Sequence, residues 1–159
     1  MEIKVLFICM GNICRSPTAQ GVFHKLLETE KLNHRIAIDS AGTHAYHVGE
    51  PPDHRAQDAA QRRGVDLSNQ RARKVIVEDF ENFDYLIAMD GDNYDSLMAI
   101  CPRDLVDKVS LFMAHAPEYK QTSVPDPYYG GISGFETVLD MVEAASQGLL
   151  QKIKMERGL

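Results

Sequence analysis

The sequence contains no apolar run approaching the length that a bilayer-spanning helix needs. Its first apolar stretch, in MEIKVLFIC, is short, starts early and has no basic segment ahead of it, so it does not read as a secretory signal. These absences predict a cytoplasmic protein with no membrane partner, in a compartment where thiols stay reduced. Cysteine is scarce as well. Cys9, Cys14 and Cys101 form an odd set, which excludes a complete disulfide framework and favours reactive thiol chemistry over cross-linking. Positive charge is also in short supply: 17 Lys and Arg against 23 Asp and Glu give a net charge of -6. A general nucleic-acid binder needs clustered cations for its phosphate contacts, so no nucleic-acid partner is expected. A small anionic ligand stays open, because one local cationic site overrides the global sign.

Repeats, low-complexity tracts and long linkers are missing too. The six histidines (His24, His34, His44, His47, His54 and His115) form no metal signature, and the thiols have no partner pair at ligand spacing. No metal or other cofactor is expected. What remains is ordinary globular composition, 44% hydrophobic and 25% charged, in a chain long enough for one domain over residues 1–159.

Apolar periodicity alternates strand with helix along the chain. Residues 3–8 read as a buried strand, followed by a helix with Ser16 as its N-cap, Pro17 in its first turn and Val22, Phe23, Leu26 and Leu27 on its apolar face. A second strand is predicted over 36–42, a helix over 53–64 stopped by Gly64, a short helix over 77–83 and a third strand over 84–89. A helix over 93–100 closed by Pro102, a fourth strand over 107–113 and a terminal helix from about residue 133 complete the pattern. The expectation is an α/β fold: a four-stranded parallel sheet in flavodoxin-like order 2-1-3-4, with helices on both faces and ligands at the carboxyl ends of the strands.

In such a sheet the first strand-to-helix turn is the place where an anion binds, and here it reads CMGNICRS. The backbone N–H groups of Met10, Gly11, Asn12, Ile13 and Cys14 can converge on one point, and Gly11 permits a close approach. Arg15 adds a planar, permanently charged fork suited to phosphate-like oxygens. Cys9 ends the strand beneath this cradle, where amide dipoles and Arg15 favour its thiolate, and Ser16 can donate to the sulfur. A thiolate below a bound phosphoryl group can attack phosphorus in line while Arg15 and the amides stabilise the equatorial oxygens. A nucleotide-binding Walker loop does not fit, because its Lys-Ser/Thr pair is missing.

CMGNICRSP resembles the active-site loop of the low-molecular-weight protein tyrosine phosphatases, and DSAGT, DYLIAMD, VPDPYYGG and the terminal helix also fall where that family has counterparts. The resemblance implies hydrolysis of phosphotyrosine in proteins or aryl phosphates through a phosphocysteine on Cys9, with inorganic phosphate as product and inhibitor. It assigns Asp126, between Pro125 and Pro127, as the general acid that protonates the leaving phenolate and later serves as base. Tyr46, Tyr128 and Tyr129 become walls for the phosphotyrosine ring. Ser40 and Asn12 become supports of the loop, joined in relatives by a histidine whose position here aligns with Asn69. Cys14 becomes the partner that captures oxidised Cys9 as a disulfide. Two alternatives share the scaffold. An arsenate reductase needs a further cysteine pair after the third strand, where only Cys101 stands. A phosphoarginine phosphatase tends to carry threonine where this chain has Ile13, whose bulk suits a flat phenyl ring. The expected assembly is a monomer or weak dimer.

Overall fold

Four parallel strands form one sheet in the order β2-β1-β3-β4, with β1 (Ile3–Cys9) and β3 (Tyr85–Ala88) central, β2 (Ile36–Gly42) and β4 (Val109–Leu111) at the edges. The computed structural model of the chain describes residues 2–127 and 131–159. The expected strand order and α/β class are what the structure shows. Strand β1 is buried at every position but Lys4, as a central parallel strand covered on both faces must be.

The two-residue alternation of β1 divides the core. Val5, Phe7 and Cys9 point into one cluster, Leu6 and Ile8 into the other. On the first side lie α1 (Arg15–Thr29), α2 (His54–Gln61) and α5 (Gly131–Arg157). Phe7 packs there between Phe23 and Phe112, with ring centroids 5.5 and 5.4 Å away. On the second side, Phe80 of α3 (Asp79–Asn82) and Leu97 of α4 (Gly91–Ile100) cover Leu6, Ile8 and Leu86. Each fully buried Phe or Leu contributes about 1.5–3 kcal/mol of burial free energy. Helix α5 sits directly on a 3₁₀ turn at Phe112–His115, and a Cβ at Gly148 would lie 1.7 Å from the His115 carbonyl oxygen.

Three local expectations need correction. Ser16 does not cap α1: Cys14 occupies the N-cap without a side-chain bond, and Ser16 lies buried in the first turn with its hydroxyl turned to Cys9. Helix α4 begins two residues earlier than the apolar pattern suggests, because Asp90 caps it by accepting from Asn93 N at 2.7 Å. The fourth strand spans only Val109–Leu111, since the chain coils into 3₁₀ turns on either side, at Arg103–Lys108 and Phe112–His115.

Candidate active site

Strand β1 ends at Cys9, and the chain turns back over that sulfur before entering α1. Cys9 is 3% exposed; its Sγ receives the Asn12 backbone N–H at 3.2 Å and lies 3.0 Å from Ser16 Oγ. The turn requires Asn12 at φ +58°, a left-handed conformation that asparagine tolerates better than most residues. Its side chain holds that conformation from three directions. Asn12 Nδ2 donates to Ser16 Oγ at 2.8 Å and Ser40 Oγ at 2.9 Å, and Oδ1 accepts from Arg73 N at 3.0 Å. Arg73 is fixed in turn by Asp39 and Asp79, each at 3.0 Å.

Ser40 continues the support outward. Its hydroxyl donates to Gln20 Oε1 at 2.6 Å and lies 3.4 Å from Gln70 Oε1, while Gln70 Nε2 donates to the Pro17 carbonyl at 3.0 Å. The residue expected here from sequence was Asn69; that side chain is exposed, and Gln70 takes the position beside Ser40 instead. The loop also leans on the β2 exit. Thr43 N donates to Cys9 O at 2.9 Å and His44 N to Met10 O at 3.0 Å. Gly42 must be glycine in this packing, since a Cβ there would stand 2.8 Å from the Met10 carbonyl oxygen.

Arg15 is 4% exposed, and its guanidinium is reached by residues that follow β3 and β4 in the chain. Nη1 donates to Asp90 Oδ2 at 2.6 Å and to the Val124 carbonyl at 3.1 Å, and Nη2 lies 3.9 Å from Asp126 Oδ2. Burial works against the charge, but Cys9, Asp90 and Asp126 more than restore it and hold the guanidinium's pKa above its usual value. Cys14, 6% exposed, behaves oppositely: burial, with Asp53, Cys9 and Asp126 adding to it, pushes its thiol well above the ordinary cysteine range. Burial thus keeps Cys14 as the neutral thiol.

A cavity of about 270 Å³ opens over this floor, lined by Cys9, Met10, Gly11, Ile13, Cys14, Arg15, Tyr46, His47 and Asp126. The structure therefore brings together the sulfur, the guanidinium and the carboxylate that the sequence singled out. Asp126 occupies the rim, with its side chain 37% exposed. Tyr46 is 72% exposed and stacks on His44 at 5.2 Å. Tyr128 and Tyr129 lie outside the described residues. Sequence reasoning missed Asp90, Gln20, Gln70, Arg73 and His47. A signal existed for Asp90, which stands directly after the β3 run at the carboxyl edge of the sheet, where ligands bind. His47 gave no such signal: it rests against Gly11 and is held from behind by Glu50, Nδ1 to Oε2 at 2.5 Å. Among the described residues, no group of three or more His, Cys, Asp or Glu side chains is placed to hold a metal ion.

A buried thiol that receives a loop N–H, an arginine beside it and a carboxylate at the rim place the chain in the class of α/β proteins with an anion site at the first strand-to-helix turn. Comparison narrows the class to a family. The profile described as low molecular weight phosphotyrosine protein phosphatase matches residues 4–158. The chain is 42% identical over 154 residues to the enzyme of that name from Gallus gallus, covering 95% of this chain and 96% of the relative. The crystal structure of a protein tyrosine phosphatase from Entamoeba histolytica, with Hepes in its active site, superposes with a TM-score of 0.93 at 42% identity, covering 99% of each chain. A Drosophila arginine phosphatase superposes with a TM-score of 0.88 at 30% identity, covering 96% of this chain and 98% of that one. The chain belongs to the low molecular weight phosphotyrosine protein phosphatase family and is a protein-tyrosine phosphatase. No helix among the described residues is long and apolar enough to cross a membrane.

Proposed function

We propose that this chain hydrolyses phosphotyrosine in two steps through a phosphocysteine on Cys9. The observation that carries the reading is the Cys9 sulfur at the cavity floor, contacted by Asn12 N–H and Ser16 Oγ, with Arg15 and Asp126 lining the same cavity. In the first step the Cys9 thiolate forms the S–P bond while the P–O bond to the phenol breaks, and protonated Asp126 donates its proton to the departing oxygen. In the second step the Asp126 carboxylate takes a proton from water as that water attacks phosphorus, the S–P bond breaks, and thiolate and phosphate are released. Loop amides and Arg15 carry the charge of the equatorial oxygens in both steps, a role a metal ion would otherwise fill.

The surrounding residues support finer points of the same reading. Ile13 is half-buried in the cavity wall and narrows it for a phenyl ring, with exposed Tyr46 as the opposite wall. Cys14, protonated and adjacent, serves as the reductive partner that closes a disulfide when a peroxide oxidises Cys9 to the sulfenic acid and water leaves. Inorganic phosphate, as product, competes for the cradle. The enzyme works in the cytoplasm as a monomer or weak dimer, and residues 1–159 act as one phosphatase domain.

The likeness to an arginine phosphatase supports a second substrate, phosphoarginine. One experiment tests both: hydrolysis of phosphotyrosine, phosphoarginine and phosphoserine peptides in the presence of a chelator, by the wild type and by Cys9→Ser. Phosphotyrosine turnover is expected, with loss of at least about 10⁴-fold in Cys9→Ser. Activity that survives in Cys9→Ser, or that appears only with added divalent metal, overturns the mechanism. Preferred turnover of phosphoarginine replaces the substrate.

A further inference from the structure

His47 lines the cavity over Cys9, although no step of the proposed hydrolysis uses it. Its ring lies on Gly11, where a Cβ would stand 3.0 Å from His47 Cδ2 and 3.8 Å from Nε2. Glu50, three residues further on, takes the other nitrogen, with Nδ1 2.5 Å from Oε2. A carboxylate at that distance makes Nδ1 the nitrogen that carries the proton in the neutral ring. Nε2 is left on the side of the loop at Gly11, with no hydrogen-bond partner among the described residues. A second proton on the ring therefore decides the charge of this wall. With Nε2 bare, the wall carries the negative charge of Glu50; with Nε2 protonated, the pair is neutral and adds an N–H donor beside the loop. The other charges around the ring have partners of their own. His44 of the same segment lies 2.8 Å from Thr43 Oγ1 and stacks on Tyr46. Gly49 N and Glu50 O pair with Ala72, whose neighbours Arg71 and Arg73 turn to the Ser68 and Gln70 carbonyls and to Asp39 and Asp79. Asp53 and Arg55 at the start of α2 bind each other. Sharing the cavity with His47 are Cys9, Arg15, which holds Asp90, and Asp126.

We propose that His47 is a proton-dependent member of the anion site: its imidazolium, held by Glu50, strengthens the binding of a tetrahedral dianion in the loop of residues 9–16, and its neutral form weakens it. The inference rests on the reading of that loop as the phosphate cradle. The sign follows from the charges. A dianion is held more tightly below the pH range in which histidine titrates than above it, and by reciprocity a bound dianion draws a proton onto the ring. The size follows from exposure. The His47 and Glu50 side chains are 33% and 56% exposed, so solvent screens them and the effect is about three- to fivefold.

Sulfate is the probe, because it keeps two negative charges from about pH 5.5 to about pH 8, the span over which histidine titrates. Its dissociation constant is measured by NMR titration at constant ionic strength in the wild type, His47→Gln and Glu50→Gln. Between those two pH values binding should weaken about three- to fivefold more in the wild type than in His47→Gln, where Cys9 and Asp126 still titrate. At about pH 6.5, sulfate should also move the Cε1–H resonance that His47→Gln removes toward its protonated position. The resonance of His24, which does not line the cavity, should stay in place. The same pH dependence in the wild type and His47→Gln, or a stationary His47 resonance at saturating sulfate, overturns the proposal and leaves the cradle standing. Absence of saturable sulfate binding overturns the cradle, and the proposal with it. If His47→Gln does not fold, Glu50→Gln decides: removing the carboxylate charge should tighten sulfate binding about twofold at the upper pH, and an unchanged affinity overturns the proposal.

Discussion

The floor and the rim of the active-site cavity are built on opposite principles. The floor, residues 9–16, is tied to distant parts of the chain: Asn12 to Ser40 and Arg73, Arg15 to Asp90 and Val124, Ile13 O to Asp53 N at 2.8 Å. Asp126 at the rim sits between two prolines with its side chain 37% exposed, and its ion contact to Arg15 is long, at 3.9 Å. An anion cradle needs its donors preorganised, because any reorganisation during the reaction subtracts from electrostatic stabilisation. A proton donor that must also admit and release substrate gains from standing at the solvent edge. Substitutions at the floor should therefore cost folding and activity together, and those at the rim activity alone.

The largest effect expected at the rim is that of Asp126→Asn, which should lower kcat about 10³-fold for a phosphate ester of a basic phenol. With a strongly acidic phenol the loss should shrink to a few-fold, and the melting temperature should stay within about 1 °C of wild type. A matching fall in melting temperature would erase the contrast between floor and rim. Asn12→Ala strips three hydrogen bonds and leaves alanine at φ +58°. It should destabilise by about 2–4 kcal/mol in denaturant titrations and lower kcat/KM about 10²-fold. Asp90→Asn keeps an oxygen for the α4 cap but removes the anion that holds Arg15. Its expected signature is a roughly tenfold weaker inhibition by orthophosphate, measured at constant pH. Gln70→Ala sharpens the comparison from the outside: about 1 kcal/mol of stability with kcat changed less than about threefold. A larger loss of kcat would move Gln70 from a scaffold contact into the positioning of the cradle itself.

How legible this was in the sequence depends on how local each cause is. The strand-turn-helix around CMGNICRS could be read because strand burial, a glycine and an arginine act within eight residues; the alternation of elements indicated the parallel sheet, while the strand order was taken from the fold class. Ser16 misled because a serine before proline reads as a cap, whereas its hydroxyl is used by a sulfur seven residues earlier. Gln70 was out of reach: a half-buried glutamine and an exposed asparagine are adjacent in sequence, and only the path of the chain between α2 and Lys74 decides which one faces Ser40. Strand β4 proved shorter than its apolar run because the buried part of that run continues into the 3₁₀ turn at Phe112–His115, and periodicity cannot separate the two.

The left-handed Asn12 carries a consequence for biosynthesis. The groups that hold it come from positions 28 and 61 residues further along the chain. The cradle cannot assemble from residues 9–16 alone; it waits until β2 and the segment at Arg73 have been made and docked, at a loop-closure cost. A nascent or partly unfolded chain thus carries Cys9 without the closed loop that surrounds its sulfur in the finished fold.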